Sequence, residues 1–237
     1  MLLGIKDTRT VFLRYLLVGI VTGLLVAVVW SLNATWTPDM RLWKALGGAA
    51  FFLVWFALVV GPAAAIWKSL DRVRSLRREA GVWFFVVALV HAYLILDGWV
   101  RWGVWEFFGY EFIPELDTYL RVEAGFGLAN LIGLIALAFS LALAATSFDR
   151  AVSFLGASSW KWLHTFAYVV LYLAAVHVVY FAFIHFTPSL QRVVMGQPTA
   201  YPDNPLRYVY LAALLSVFIA QTWAFLKTVR RQRNAQW

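Results

Sequence analysis

"WLHTFAYVVLYLAAVHVVYF", residues 162–181, is an apolar run with a histidine near each end. It is long enough to cross a bilayer, since a ~30 Å hydrocarbon core takes about 20 such residues as a helix. An imidazole in hydrocarbon is costly and normally has a partner, so His164 and His177 mark a functional site as well as a span. The chain has four histidines; the others are His91 and His185.

The rest of the chain is of the same kind. Hydrophobic residues make up 62% and charged residues 14% of the 237, against roughly 45–50% and about 25% in soluble domains. This is the composition of an integral membrane protein. Spans are expected at 11–32, 45–67, 80–100, 125–147, 160–186 and 206–227. The fold class is therefore all-α: a polytopic membrane bundle of six transmembrane helices, with residues 1–237 forming one transmembrane domain. The first stretch exceeds the ~7–15 apolar residues of a secretion signal and is expected to stay as a span. Cysteine is absent, which excludes iron–sulfur clusters, disulfides and thiolate metal sites.

Charge sets the expected orientation. The formal net charge is +8, but the basic residues flank spans and form no nucleic-acid patch. Lys68, Arg72, Arg74, Arg77 and Arg78 lie between the second and third spans, and further clusters lie at the N-terminus, in the 149–161 loop and at the C-terminus. That face carries 14 of the 20 Lys and Arg, and the other carries six, including Arg101 and Arg121. The basic face goes to the cytoplasm, so both termini are expected there. The acidic, aromatic 101–123 connection then faces outward, either as an amphipathic interfacial helix or as a surface for a periplasmic partner. The basic run also suits anionic lipid, and docking of a flavoprotein or a flavin phosphate (FMN) is a further reading. Pro188, Pro198, Pro202 and Pro205 are expected to stiffen the last outer loop.

In this frame Ser159 is placed to cap the fifth span. His164 lies near the inner interface and His177 thirteen residues on, about 19.5 Å along a helix. His91 lies well inside the third span, which runs the same way. His91 and His177 facing each other would suit the axial positions of a haem iron, a coordination needing no cysteine. Zinc or copper asks for three or four convergent ligands. No HxxxH or HxH pair supports that, and the one acidic residue within a span, Asp97, sits near its edge. At 100° per residue, thirteen steps leave His164 and His177 about 140° apart on an ideal helix, which a bulge, supercoil or offset must absorb. Tyr168 and Tyr172 follow His164 at four-residue steps and so share its face. His185 reads as a headgroup-level histidine. In the fourth span Gly125, Gly127, Ala129, Asn130 and Gly133 permit close helix approach or leave room for a flat macrocycle.

The stretches "RREAGVWFFVVALVH" (77–91) and "TSFDRAVSFLGASSWKWLHTFAYVVLYLAAVH" (146–177) resemble the ferric reductase-like transmembrane domain superfamily. Within it they are most similar to the small MsrQ-type haem-binding membrane subunit. The resemblance covers roughly 45–225 and is strongest over 77–177. It implies b-type haem between histidines of the third and fifth spans. Larger relatives carry an inner histidine where this chain has Arg77, so His91 corresponds to the outer position and pairs with His177. A second haem held by His164, with Arg77 meeting a propionate, stays open. The resemblance also implies a cytosolic flavin reductase or quinone as electron donor and a periplasmic redox protein, a molybdenum-containing methionine sulfoxide reductase, as acceptor.

The function expected is that of a membrane cytochrome b subunit in a bacterial inner (plasma) membrane. No GxGxxG loop or extramembrane domain is present to bind FAD or a nicotinamide, so the chain holds no complete catalytic site. A ferric or quinone reductase-like cytochrome, or a subunit of a larger respiratory complex, is the alternative within redox chemistry. A transporter or scaffold with structural histidines is the alternative outside it. Coupled transporters pair broken helices with buried carboxylates, and here only Pro62 interrupts a span.

Overall fold

The computed structural model describes residues 8–121, 125–185 and 204–234. Among these, six helices are long and apolar enough to cross a membrane. The first runs Thr8–Leu32, the second Pro38–Ile66, the third Arg77–Leu94, the fourth Phe126–Ala145 and the sixth Arg207–Asn234. The fifth comes in two pieces, Ala157–His164 and Ala167–Val179. This is a multi-pass membrane protein. Most of the proline-bearing loop falls in 186–203, outside the described residues.

The second span is the axis of the bundle and packs against the first, third, fifth and sixth. Its sequence suits that place, because Ala45, Gly48, Ala49 and Ala50 are small and buried, which lets neighbouring backbones approach. Pro38 opens it at the first helical turn, where a missing N–H costs nothing. The helix therefore begins seven residues before the expected 45. One buried cluster joins Leu53, Leu58, Ala80, Phe84, Val87, Val170, Leu171 and Val217 from the second, third, fifth and sixth spans. A second joins Val29, Ala45, Phe51 and Tyr210 from the first, second and sixth. Large apolar side chains such as Leu24 and Phe218 face outward.

Lipid tails are as apolar as leucine, so polar contacts help fix the helix pairs. Arg14 Nε lies 3.1 Å from Glu79 Oε1, and Arg14 also donates to the Ser75 carbonyl, tying the first span to the third. Trp55 Nε1 donates to Ser216 Oγ at 2.9 Å between the second and sixth spans. Lys227 Nζ donates to the carbonyls of Ala65 and Ile66, closing the C-terminal end of the second span.

Three local features differ from the expectations. Gly156, not Ser159, precedes the fifth span, and Ser159 lies inside the helix. The fifth span tightens at Thr165–Phe166: Thr165, Phe166 and Tyr168 donate to carbonyls three residues back. Thr165 Oγ1 also donates to the Trp162 carbonyl at 2.6 Å, a back-bond that bends helices. Each tightened step turns about 120° instead of ~100°, which rotates His164 and His177 towards one another's face. Tyr168 and Tyr172 consequently diverge from His164. Tyr168 packs on the main cluster and Tyr172 is 55% exposed.

The 101–121 connection is no single amphipathic helix. A turn of helix, Val104–Phe107, leads into a hairpin of β1, Tyr110–Ile113, and β2, Thr118–Arg121. Tyr110 pairs with Arg121 and Ile113 with Thr118. Asp117 makes the turn at φ 47°, a left-handed conformation that aspartate tolerates better than most residues. Trp105 stacks on Tyr119 at 5.5 Å, and Asn130 Nδ2 donates to the Phe107 carbonyl at 3.1 Å, anchoring the segment to the fourth span.

Candidate functional site

His91 and His177 meet. Their ring centres are 6.4 Å apart with planes at 86°. Two imidazoles sharing one metal at about 2 Å from each nitrogen place their ring centres roughly 6 Å apart. The His177 ring is held from behind: Nδ1 donates to the Ala129 carbonyl on the fourth span at 2.8 Å. A carbonyl only accepts, so Nδ1 carries the proton and Nε2 keeps its lone pair. The His91 Nδ1 is buried and makes no hydrogen bond, with the Trp43 backbone as the polar group that acts on the ring. A buried polar atom left short of a partner costs about 1–3 kcal/mol, and such costs persist where a site requires them.

Both rings line a cavity of about 190 Å³ between the helices. Its walls include Phe84, Ala88, Trp99, Phe126 and Phe181, so a flat apolar ligand would find apolar and aromatic faces. Asn33, Lys44 and Asn130 are polar groups in the lining, and Lys44 is the formally charged one. The Lys44 ammonium lies 4.2 Å from the centre of the Trp36 ring. Among the described residues, no three of His, Cys, Asp and Glu gather into a metal-holding group. The donor set is a pair of neutral imidazoles, which fits a macrocycle that supplies the remaining four ligands.

Both histidine-bearing spans change to π-helical winding just past their histidine, at Ile95–Trp99 and Tyr180–Ile184. Such single π-turns are frequent at functional sites. Here they carry Trp99 and Phe181 to the cavity. His185 follows the second π-turn and sits among Trp99, Phe126 and Phe181, with Tyr180 Oη 3.3 Å from its Nδ1. It is a half-buried member of an aromatic cluster at the edge of the cavity.

His164 and Arg77 are not brought to this pair. His164 Nε2 lies 3.2 Å from Thr146 Oγ1, and its ring stacks on Trp160 at 4.0 Å. Arg77 Nε donates to the Ala57 carbonyl at 2.6 Å on the second span. Arg77 has Tyr168 as a polar neighbour, whereas the charged neighbour of His164 is Arg78. The space between these levels is filled by Leu58, Ala80, Val170 and Leu171, each no more than 2% exposed. Sequence reasoning named Ala129 only as a small packing residue and missed its carbonyl, which carries no side-chain signal, and it did not find Trp43 or Lys44 at the site.

The family described as ferric reductase like transmembrane component matches residues 46–175, more than half of the chain. The chain belongs to this family. The match contains His91 and His164 and ends two residues before His177. The magnetosome protein MamZ of Paramagnetospirillum magneticum is 30% identical over 136 residues, which is 56% of this chain and 19% of MamZ. The aligned part thus spans about a fifth of that relative's length. No solved structure matches the chain.

Proposed function

We propose that this protein is a membrane electron-transfer subunit holding one b-type haem between His91 and His177. The observation that carries the reading is the pair of imidazoles 6.4 Å apart across an apolar cavity. His91 and His177 would supply both axial nitrogens. The Ala129 carbonyl holds the Nδ1 proton of His177 and so presents Nε2 as the ligand. Phe84, Trp99, Phe126 and Phe181 line the cavity and would exclude water from the faces of the group, and Lys44, also in the lining, would pair with a haem carboxylate. Haem held between two imidazoles carries one electron at a time.

The excess of Lys and Arg on one face supports an orientation with that face in the cytoplasm, in a bacterial inner membrane. The donor would then be a cytosolic flavin reductase or a membrane quinone, and the acceptor a periplasmic redox protein. By the resemblance to MsrQ-type subunits, that acceptor is a methionine sulfoxide reductase. A pyridine haemochrome assay on purified protein tests the reading, with one haem b per chain expected. Well-folded protein, expressed with ample haem and still colourless, would overturn it and favour a transporter or scaffold.

A further inference from the structure

The second and fourth spans meet the two histidines in the same way. A Cβ added at Gly47 would stand 3.1 Å from His91 Cε1, and one at Gly133 would stand 2.9 Å from His177 Nδ1. The Ala129 carbonyl that accepts from His177 Nδ1 belongs to the residue four positions before Gly133. The backbone nearest in interaction with His91 is that of Trp43, four positions before Gly47, with the buried His91 Nδ1 short of a full hydrogen bond. In an α-helix that carbonyl lies one turn below the glycine on the same face. The missing side chain therefore opens the groove through which an imidazole reaches the backbone oxygen. A third side chain uses the device: Arg77 lies against Gly61, where a Cβ would stand 2.6 Å from Nη1, and donates to the Ala57 carbonyl four residues before it. Gly61 is fourteen residues past Gly47, and Arg77 fourteen before His91, as the register of two antiparallel helices requires.

We infer that Gly47 with the Trp43 carbonyl, and Gly133 with the Ala129 carbonyl, are matched positioning sockets that seat His91 and His177 and aim their Nε2 atoms at each other. Both glycines also line the cavity, but the nearest atoms a Cβ there would meet are those of the imidazole each admits. The sockets differ in tightness. His177 makes the full hydrogen bond and lies closer to its glycine, so Gly133 exerts the stronger control. The inference rests on the haem reading for its purpose, but the seating of the rings is a property of the chain alone.

The test uses Gly133→Ala and Gly47→Ala in the full-length protein, with Gly23→Ala and Gly81→Ala as controls. A Cβ at either control position meets nothing within 4 Å. Alanine is the better helix former, so any loss at the socket positions comes from the contact and not from the helix. Changes to the groups that orient a metal's ligands typically cost 10–100-fold in affinity. Gly133→Ala is expected to weaken haem retention by about that much and to change the low-spin electron paramagnetic resonance signal. Gly47→Ala should shift the signal with a smaller loss, and both controls should match the unaltered protein. Signals and haem-to-protein ratios at both socket variants equal to the controls would overturn the inference.

A second readout needs no haem. Nitrogen chemical shifts of histidine-labelled protein in detergent should show His177 as the Nδ1–H tautomer in the unaltered chain. Gly133→Ala should lose that tautomer. His177 as the Nε2–H tautomer would overturn the socket even if the variants failed to fold. A colourless protein that retained the Nδ1–H tautomer would overturn the haem reading and leave the socket standing.

Discussion

His177 and His164 stand on one span, thirteen residues apart, and the fourth span runs past both. At the first level His177 faces Gly133; at the second, His164 faces Thr146, thirteen residues beyond that glycine. The glycine admits the ring to a backbone carbonyl and leaves Nε2 free, whereas the Thr146 hydroxyl takes up Nε2 itself. On the third span a glycine stands opposite both side chains, His91 over Gly47 and Arg77 over Gly61, and it is the side chain that differs. One level opens on a cavity, and buried Leu58, Ala80, Val170 and Leu171 pack between it and the other. On the fifth span the partner across the helix thus differs with the level: a backbone carbonyl at His177 Nδ1 and a hydroxyl at His164 Nε2.

The largest expected effect breaks the open level. His91→Ala and His177→Ala should each abolish the same low-spin haem signal, and the double variant should lose no more, because residues acting as one unit are not additive. Haem-to-protein ratio with electron paramagnetic resonance checks this; two additive half-losses would mean two independent sites. In the unaltered protein the 86° between the ring planes predicts a strongly anisotropic low-spin signal.

The orientation of the two levels is tested by reporters. A reporter fused after Trp237 should be active only in the cytoplasm, and one inserted at Glu115 only outside. The reverse would turn the open level towards the donor side. Smaller effects sharpen the closed level. Thr146→Ala removes the partner of His164 Nε2 and should cost about 1 kcal/mol in thermal stability, with haem content unchanged. Gly61→Ala puts a methyl 2.6 Å from Arg77 Nη1, strains its bond to the Ala57 carbonyl and should cost about 1 kcal/mol or less in stability, again without touching haem.

The spans were legible because each exceeds twenty mostly apolar residues. The start of the second was not, since Arg41 and Lys44 read as the end of the apolar run, while Pro38 opens the helix and Lys44 turns inward to the cavity. The hairpin was hidden because the alternating aromatic and acidic residues of 104–121 suit an amphipathic surface of either period. The pairing of His91 with His177 came from the resemblance and the position of Arg77. The sockets could not be read along one helix, because they need the antiparallel register of two spans and a carbonyl that carries no sequence signature. The turn at Thr165–Phe166 that relieves the angle between His164 and His177 has no glycine or proline to announce it.

The central claim is that one level of this bundle binds and the other is shut. The most direct measurement compares haem-to-protein ratio and the low-spin signal in His164→Ala and His177→Ala, purified side by side. The account predicts that His164→Ala keeps the haem and signal of the unaltered protein while His177→Ala loses both. If His164→Ala erased the low-spin signal and His177→Ala kept it, the account would be contradicted, with His91 serving the wrong partner.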